Sequence, residues 1–303
     1  MVTATEAARF EGAYSALVTP MHDDETVDFE SLERLVGLQL ERGVEGFYCC
    51  GSSGEGLLLD LAERRAIVQT VVKAVAGRVP VIAHVGTIRT ADAARLARWA
   101  EADGADAVSL IPPYYYHFTA QEVLGYYNQV IAGTGLPVIL YNIPQFTQVQ
   151  FDKLSAGPLL DQDQVLGVKH TAHNLYSLER MVAAYPEKIF FNGFDEQYLP
   201  SLAAGARATI GTTVNFQPEL FLDVRRRFDA GDLAGARRVQ TQINDSVEAI
   251  VAVGVFQAAK YLAGFGDFNC GNARAPFASL TIEQRTELDG LLTTIRSNIG
   301  SVG

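Results

Sequence analysis

The chain has 303 residues, 48% of them hydrophobic, and a formal net charge of -11. That length buries an ample core in one large domain or two modest ones, and an acidic balance without any basic block excludes nucleic acid and anionic membrane as partners, since both need clustered Lys and Arg. No apolar stretch approaches the roughly 20 residues of a bilayer span, Met1 to Phe10 lack the basic start and apolar centre of a secretory signal, and the three cysteines form neither a disulfide framework nor a CxxC metal pair, so a reducing cytoplasm is the expected home.

Apolar runs alternate with amphipathic segments. The first run, Tyr14–Pro20, follows a short N-terminal tail of residues 1–11. The second, Gly46–Cys50, ends in Gly51-Ser52-Ser53-Gly54-Glu55-Gly56. Glycines there let backbone N–H groups turn inward and two hydroxyls add donors, which makes either an anion nest or an ordinary Gly/Ser turn. The Lys-Ser/Thr of a Walker loop is missing and no basic residue stands nearby, so a carboxylate fits better than a polyphosphate. A helical period over Ala62–Ala76 leads to the run Val79–Gly86; the next, Ala91–Asp103, opens after Thr90 as a capping residue and stops at Gly104. Ala107–Pro112 is followed by Tyr114-Tyr115-Tyr116, three tyrosines that cannot all face a core, so at least one hydroxyl points to a cavity or an interface. Ala120–Ile131 is a helix capped by Thr119, with Gly135 beyond its end.

The fifth run, Pro137–Ile143, carries Tyr141-Asn142-Ile143-Pro144, and the sixth, Val165–Thr171, carries Lys169. An ammonium in an apolar strand is disfavoured by desolvation, and a lysine that has lost its proton is a nucleophile suited to Schiff-base chemistry on a ketone. The other reading is a structural lysine that snorkels to the strand end or pairs with a buried carboxylate. On a parallel barrel these two strands are neighbours, which brings Tyr141 to the height of Lys169, close enough to pass protons to and from a lysine adduct. After the helix Leu175–Tyr185, capped by Asn174, the run Lys188–Asp195 ends in Phe191-Asn192-Gly193-Phe194-Asp195-Glu196. Its adjacent carboxylates either cap the next helix or accept from the vicinal hydroxyls of a polyhydroxy substrate. Ala208–Val214 adds the hydroxyls of Thr212 and Thr213. His84 and His170 stand without HxxxH or HExxH spacing, so no metal site is expected. From Pro218 onward the chain reads as helix: Pro218–Ala230, Ala234–Val253, Gly254–Gly264 and Ile282–Ile299.

Eight such units predict an α/β fold, a (β/α)8 TIM barrel over residues 12–230, with a C-terminal helical extension over 231–303 in the same domain. A doubly wound open sheet competes, but no GxGxxG follows the first strand and near-equal repeats favour closure.

Taken together, Gly51-Ser52-Ser53-Gly54-Glu55, Tyr141-Asn142-Ile143-Pro144 and Gly167-Val168-Lys169-His170-Thr171 resemble the motifs of the N-acetylneuraminate lyase and dihydrodipicolinate synthase family, from about Gly12 to Phe277. The resemblance implies a homotetrameric barrel that carries pyruvate as a lysine Schiff base with no metal and no organic cofactor. By resemblance Lys169 is the Schiff-base lysine and Tyr141 the proton relay. Ser52 and Ser53 are the pair that binds the pyruvate carboxylate and links to that tyrosine, and Tyr115 reaches into a neighbouring subunit's site.

The synthases of the family usually carry arginine where this chain has Phe146, so that branch loses its anion clamp. The segment Phe191–Glu196 resembles the lyase branch, as do Ala83-His84-Val85-Gly86 and Gly254-Val255-Phe256. That makes Thr171, Gly193, Asp195, Glu196 and Thr212 the expected sugar-acid contacts. The implied activity is a class I aldolase that cleaves N-acetylneuraminate to pyruvate and N-acetylmannosamine. An aldolase or dehydratase acting on another 2-keto-3-deoxy sugar acid, and a non-catalytic keto-acid-binding barrel, are the alternatives. Three positions depart from the lyase pattern. Ser53 replaces a common threonine, Thr212 replaces a frequent serine, and His170 replaces a usual glutamine, which brings a charge beside the nucleophile into question.

Overall fold

The computed structural model describes residues 4–301, so residues 1–3 of the expected N-terminal tail lie outside the described residues. Eight parallel strands close a barrel in sequence order: β1 (Gly12–Ala16), β2 (Gly46–Cys49), β3 (Val81–His84), β4 (Ala107–Leu110), β5 (Val138–Asn142), β6 (Val165–His170), β7 (Ile189–Asn192) and β8 (Ala208–Gly211), with β8 pairing back on β1. Every strand residue is buried. The reason is that one face meets the lumen and the other the helical layer, which is why the runs are apolar throughout rather than alternating. Tyr14, Tyr48, Ile139, Tyr141, Leu166 and Phe191 belong to a lumen cluster, while Phe47, Val108, Leu140 and Val168 join the outer core beneath the helices. Ala7 of the short helix Ala4–Ala8 and Phe10 just beyond it join the lumen cluster.

One irregularity sets the chemistry. Val138 pairs with Val165, but Ile139 pairs with Gly167, so β6 carries one extra residue against β5. A Cβ on Gly167 would lie 1.7 Å from the Ile189 carbonyl oxygen, so only glycine fits this bulge. Beyond it Tyr141 aligns with Lys169. Without the extra residue Tyr141 would align with Val168, whose side chain belongs to the opposite face.

The strands are shorter than the apolar runs predict at their C-terminal ends. Val79–Gly86 yields only Val81–His84, and Ala208–Val214 only Ala208–Gly211, with Asp195–Gln197 and Thr213–Asn215 coiling into single 3-10 turns. Leaving the ladder there frees the side chains that form the mouth. Thr119 and Asn174 cap their helices as expected, whereas Thr90 does not. It is the first helical residue, Arg89 occupies the capping position without a side-chain bond, and Arg89 instead pairs with Asp92 one turn on. The C-terminal helices Pro218–Asp229, Leu233–Val253, Val255–Ala263 and Ile282–Gly300 follow the predicted order. The second and third meet at Gly254 with a bend of 119°, which folds their junction over the barrel mouth. Among the described residues no single helix is long and apolar enough to cross a membrane.

Candidate active site

A cavity of about 500 Å³ opens at the C-terminal ends of the strands, the face on which barrels of this kind assemble their sites. Ser52, Ser53, Tyr141, Lys169, Thr171, Gly193, Asp195, Glu196 and Thr212 all line it. Tyr115 does not. It is 80% exposed, its backbone is left-handed at φ +76°, and its ring packs edge-on against Tyr116 at 5.0 Å.

At the cavity floor Lys169 is buried, and no carboxylate among the described residues comes within ion-pair distance of its amine. Neither structural alternative for this lysine, a snorkelling chain or a buried ion pair, describes it. Nζ lies instead over two aromatic faces, 3.9 Å from the Tyr141 ring centroid and 4.3 Å from that of Tyr48. Ring faces attract a cation through the quadrupole yet supply no hydrogen-bond acceptor of a carboxylate's strength, so the amine stays accessible on its cavity side. Tyr48 was not anticipated from sequence, although its inward register two residues after Gly46 was a usable signal. Its hydroxyl bonds to Ser109 Oγ at 3.1 Å, and burial, followed by the neighbouring Tyr141, pushes that phenol well above the usual range. His84 packs edge-on against Tyr141 at 5.9 Å; burial, then Arg64 and Lys169, holds it well below the usual imidazole range, so it is a neutral spacer. The expected link from Ser52 to Tyr141 is not made. Ser52 lines the cavity without a side-chain hydrogen bond among the described residues, while Ser53 Oγ instead meets Thr212 Oγ1 at 2.7 Å across the mouth.

His170 points away from the cavity, as strand alternation from Lys169 requires. Its Nδ1 lies 3.1 Å from Asn142 Nδ2 and its Nε2 3.2 Å from the Asn174 carbonyl. A proton on Nε2 donates to that carbonyl and leaves Nδ1 to accept from the amide. Burial lowers the ring to about 4, so the feared charge beside the nucleophile is absent at neutral pH.

On the opposite wall Asp195 Oδ2 accepts from the Thr213 N–H at 2.7 Å, and the Asp195 carbonyl accepts from Gln240 Nε2 at 3.0 Å. Asp195 Oδ1 and Thr171 Oγ1 are buried without hydrogen-bond partners. Burial, against the Thr213 N–H, raises the Asp195 carboxyl to about 6. Thr213 Oγ1 is a third such atom, so three residues lining one cavity keep side-chain oxygens that the protein itself does not bond. Gly193 makes this wall possible, because a Cβ there would stand 1.8 Å from Thr171 Oγ1. The upper rim is apolar: Phe146, Val255 and Phe256, which the motifs had singled out, are joined by Val247, Val251 and Phe277, which sequence missed, with Gln145 and Gln257 as its amides. Among the described residues no cluster of His, Cys, Asp and Glu could hold a metal ion.

Residues 9–295 match the dihydrodipicolinate synthetase family. An N-acetylneuraminate lyase of Rhizobium meliloti (strain 1021) is 40% identical over 89% of this chain and 90% of its own length, and that of Salmonella typhimurium is 34% identical over 90% and 92%. Among solved structures, the wild-type sialic acid aldolase of Ruminococcus gnavus superposes with a TM-score of 0.94 at 27% identity, covering 97% of this chain and all of the other. CdNal from Clostridium difficile, solved with mannosamine, gives 0.92 at 29% identity over 94% and 99%. The chain belongs to the dihydrodipicolinate synthetase family and is a carbon–carbon lyase.

Proposed function

We propose that the chain is a class I aldolase that cleaves N-acetylneuraminate to pyruvate and N-acetylmannosamine. The observation that carries this reading is the Lys169 amine held between two ring faces at the floor of a cavity whose wall presents Asp195 and Glu196. The amine attacks the C2 ketone of the open-chain sugar acid and water leaves, forming an iminium. As the C4 hydroxyl gives its proton to the substrate's own carboxylate, the C3–C4 bond breaks, the aldehyde departs, and the electron pair moves into the iminium to leave an enamine. Protonation at C3 and hydrolysis release pyruvate and restore the amine. The imine is itself the electron sink, so the chemistry needs neither metal nor organic cofactor.

In this reading Tyr141 relays protons in the imine-forming steps, aligned with Lys169 by the bulge at Gly167. Ser52 and Ser53 hold the pyruvate carboxylate, while Thr171, Gly193, Asp195, Glu196 and Thr212 receive the hydroxylated tail. Tyr115 serves a neighbouring subunit's site in a homotetramer, a role its exposure supports. Phe146, 64% exposed at the rim, offers nothing to a second carboxylate, which disfavours synthase chemistry. The partners are then a sugar acid and pyruvate in the cytoplasm, with no nucleic acid and no membrane.

Borohydride reduction in the presence of pyruvate should link three carbons to Lys169. An adduct on Lys260, or none, ends the proposal. For the substrate, a panel of 2-keto-3-deoxy sugar acids assayed for released pyruvate should favour N-acetylneuraminate. Turnover only of sugar acids that lack the acetamido group would reassign the enzyme within its family.

A further inference from the structure

The C-terminal extension carries a buried ion pair that the chemistry above leaves unused. Lys260, on the helix Val255–Ala263, is 0% exposed; its Nζ lies 2.5 Å from Glu55 Oε1 and donates to the Asn272 carbonyl at 2.9 Å. The other Glu55 oxygen accepts from the Arg274 backbone N–H at 2.6 Å. Both oxygens of one buried carboxylate are therefore held by residues outside the barrel. Glu55 closes the turn Gly51–Glu55 that presents Ser52 and Ser53, and its backbone is left-handed at φ +56°. A residue other than glycine keeps that conformation only where its surroundings over-determine it. The Arg274 side chain reinforces the attachment, donating to the Leu58 carbonyl and pairing with Glu63 on the far side of the loop. The same helix that carries Lys260 also supplies Val255 and Phe256 to the cavity rim.

We infer that Lys260 and Glu55 are a positioning pair, through which the C-terminal helices set where Ser52 and Ser53 offer their donors to the substrate carboxylate. This rests on the assignment of those serines to the carboxylate. The readout is the pyruvate concentration that half-saturates borohydride trapping on Lys169, measured beside the trapping rate at saturating pyruvate and the Tm.

Lys260→Met should lower the Tm sharply, because it strands a buried carboxylate. Adding Glu55→Gln removes the stranded charge, so the double variant should regain most of the lost Tm. Its half-saturating pyruvate should nevertheless stay about tenfold above wild type with the saturating rate little changed, the split expected when binding and not chemistry is damaged. A double variant with wild-type half-saturation makes the pair merely structural and overturns the inference. Should it not fold, Glu55→Gln alone, which keeps the shape of the side chain, reads the same constant with the same two outcomes. Ser53→Ala separates the underlying reading: if it leaves half-saturation unchanged, the serine assignment itself is wrong, whereas a raised value with an unaffected double variant rejects only the role of the pair.

Discussion

Replacing Asp195 by asparagine should make the protein more stable and a poorer enzyme. Burial raises this carboxyl from 3.8 to about 6, so the folded chain binds its proton more tightly than the unfolded chain. A group shifted in that direction contributes stability that is fully present below the unfolded pKa and is lost as pH rises through the folded one. Between pH 3.8 and about 6 the wild type therefore loses stability, by up to about 3 kcal/mol for a shift of roughly two units. Asparagine keeps an acceptor for the Thr213 N–H and has no proton to lose. Thermal unfolding of both proteins from pH 4 to 8 isolates the effect, since all other groups are shared. The variant should unfold several degrees above wild type at pH 7.5, with the difference shrinking toward zero near pH 4. Its KM for the sugar acid should rise at least about tenfold, the loss of a charged acceptor, while pyruvate trapping on Lys169 is untouched. A stability difference independent of pH, or a variant weaker at pH 7.5, refutes the burial account.

His170 carries the opposite dependence: its ring is lowered from 6.5 to about 4 by burial, so up to about 3 kcal/mol of stability is lost as pH falls through that window. His170→Gln can keep both hydrogen bonds, so it should resist acid unfolding at pH 4–5 better than wild type with unchanged activity at pH 7.5, checked by urea unfolding at the two pH values. Gly193→Ala places a methyl on Thr171 Oγ1; steady-state kinetics should show KM for the sugar acid raised, and urea unfolding a stability lowered by about 1–3 kcal/mol of overpacking.

The barrel was legible because its strands are buried on both faces, so that runs such as Val165–Thr171 carry no polar alternation and stand out against the amphipathic segments between them. The height of Tyr141 beside Lys169 was legible only by assuming regular neighbours. The alignment is in fact produced by the extra residue, Leu166, just before Gly167, which no periodicity reveals because the bulge leaves the run apolar. Capping chemistry identified Thr119 and Asn174 but failed at Thr90, where an ion pair inside the first turn substitutes for a side-chain cap. The cavity rim was hidden for a different reason. Val247 and Val251 mark the helix Leu233–Val253 as having an apolar face, but only the bend at Gly254 decides that this face covers the mouth. Whether His170 carries a charge stayed open in sequence because the neighbours that decide it, Asn142 and the Asn174 carbonyl, come from the strand beside it and the loop beyond.

Two departures from the lyase pattern, read separately in sequence, meet in space. Ser53 stands where threonine is common and Thr212 where serine is frequent, and their hydroxyls share a hydrogen bond of 2.7 Å across the barrel mouth. A methyl absent from one side of the bond is present on the other, so the pair keeps its hydroxyl count and nearly its volume. If the two positions adjust to each other, Ser53→Thr alone crowds a nearly buried loop and Thr212→Ser alone leaves a gap, each lowering stability by about 1 kcal/mol. The reciprocal exchange should then restore most of that loss, giving a coupling energy above about 0.5 kcal/mol in a double-mutant cycle of urea unfolding. The same cycle in KM for the sugar acid should show coupling of the same sign, because both side chains line the cavity. Additive effects in both measurements would mean that the two substitutions are independent and that the bond between them organises nothing.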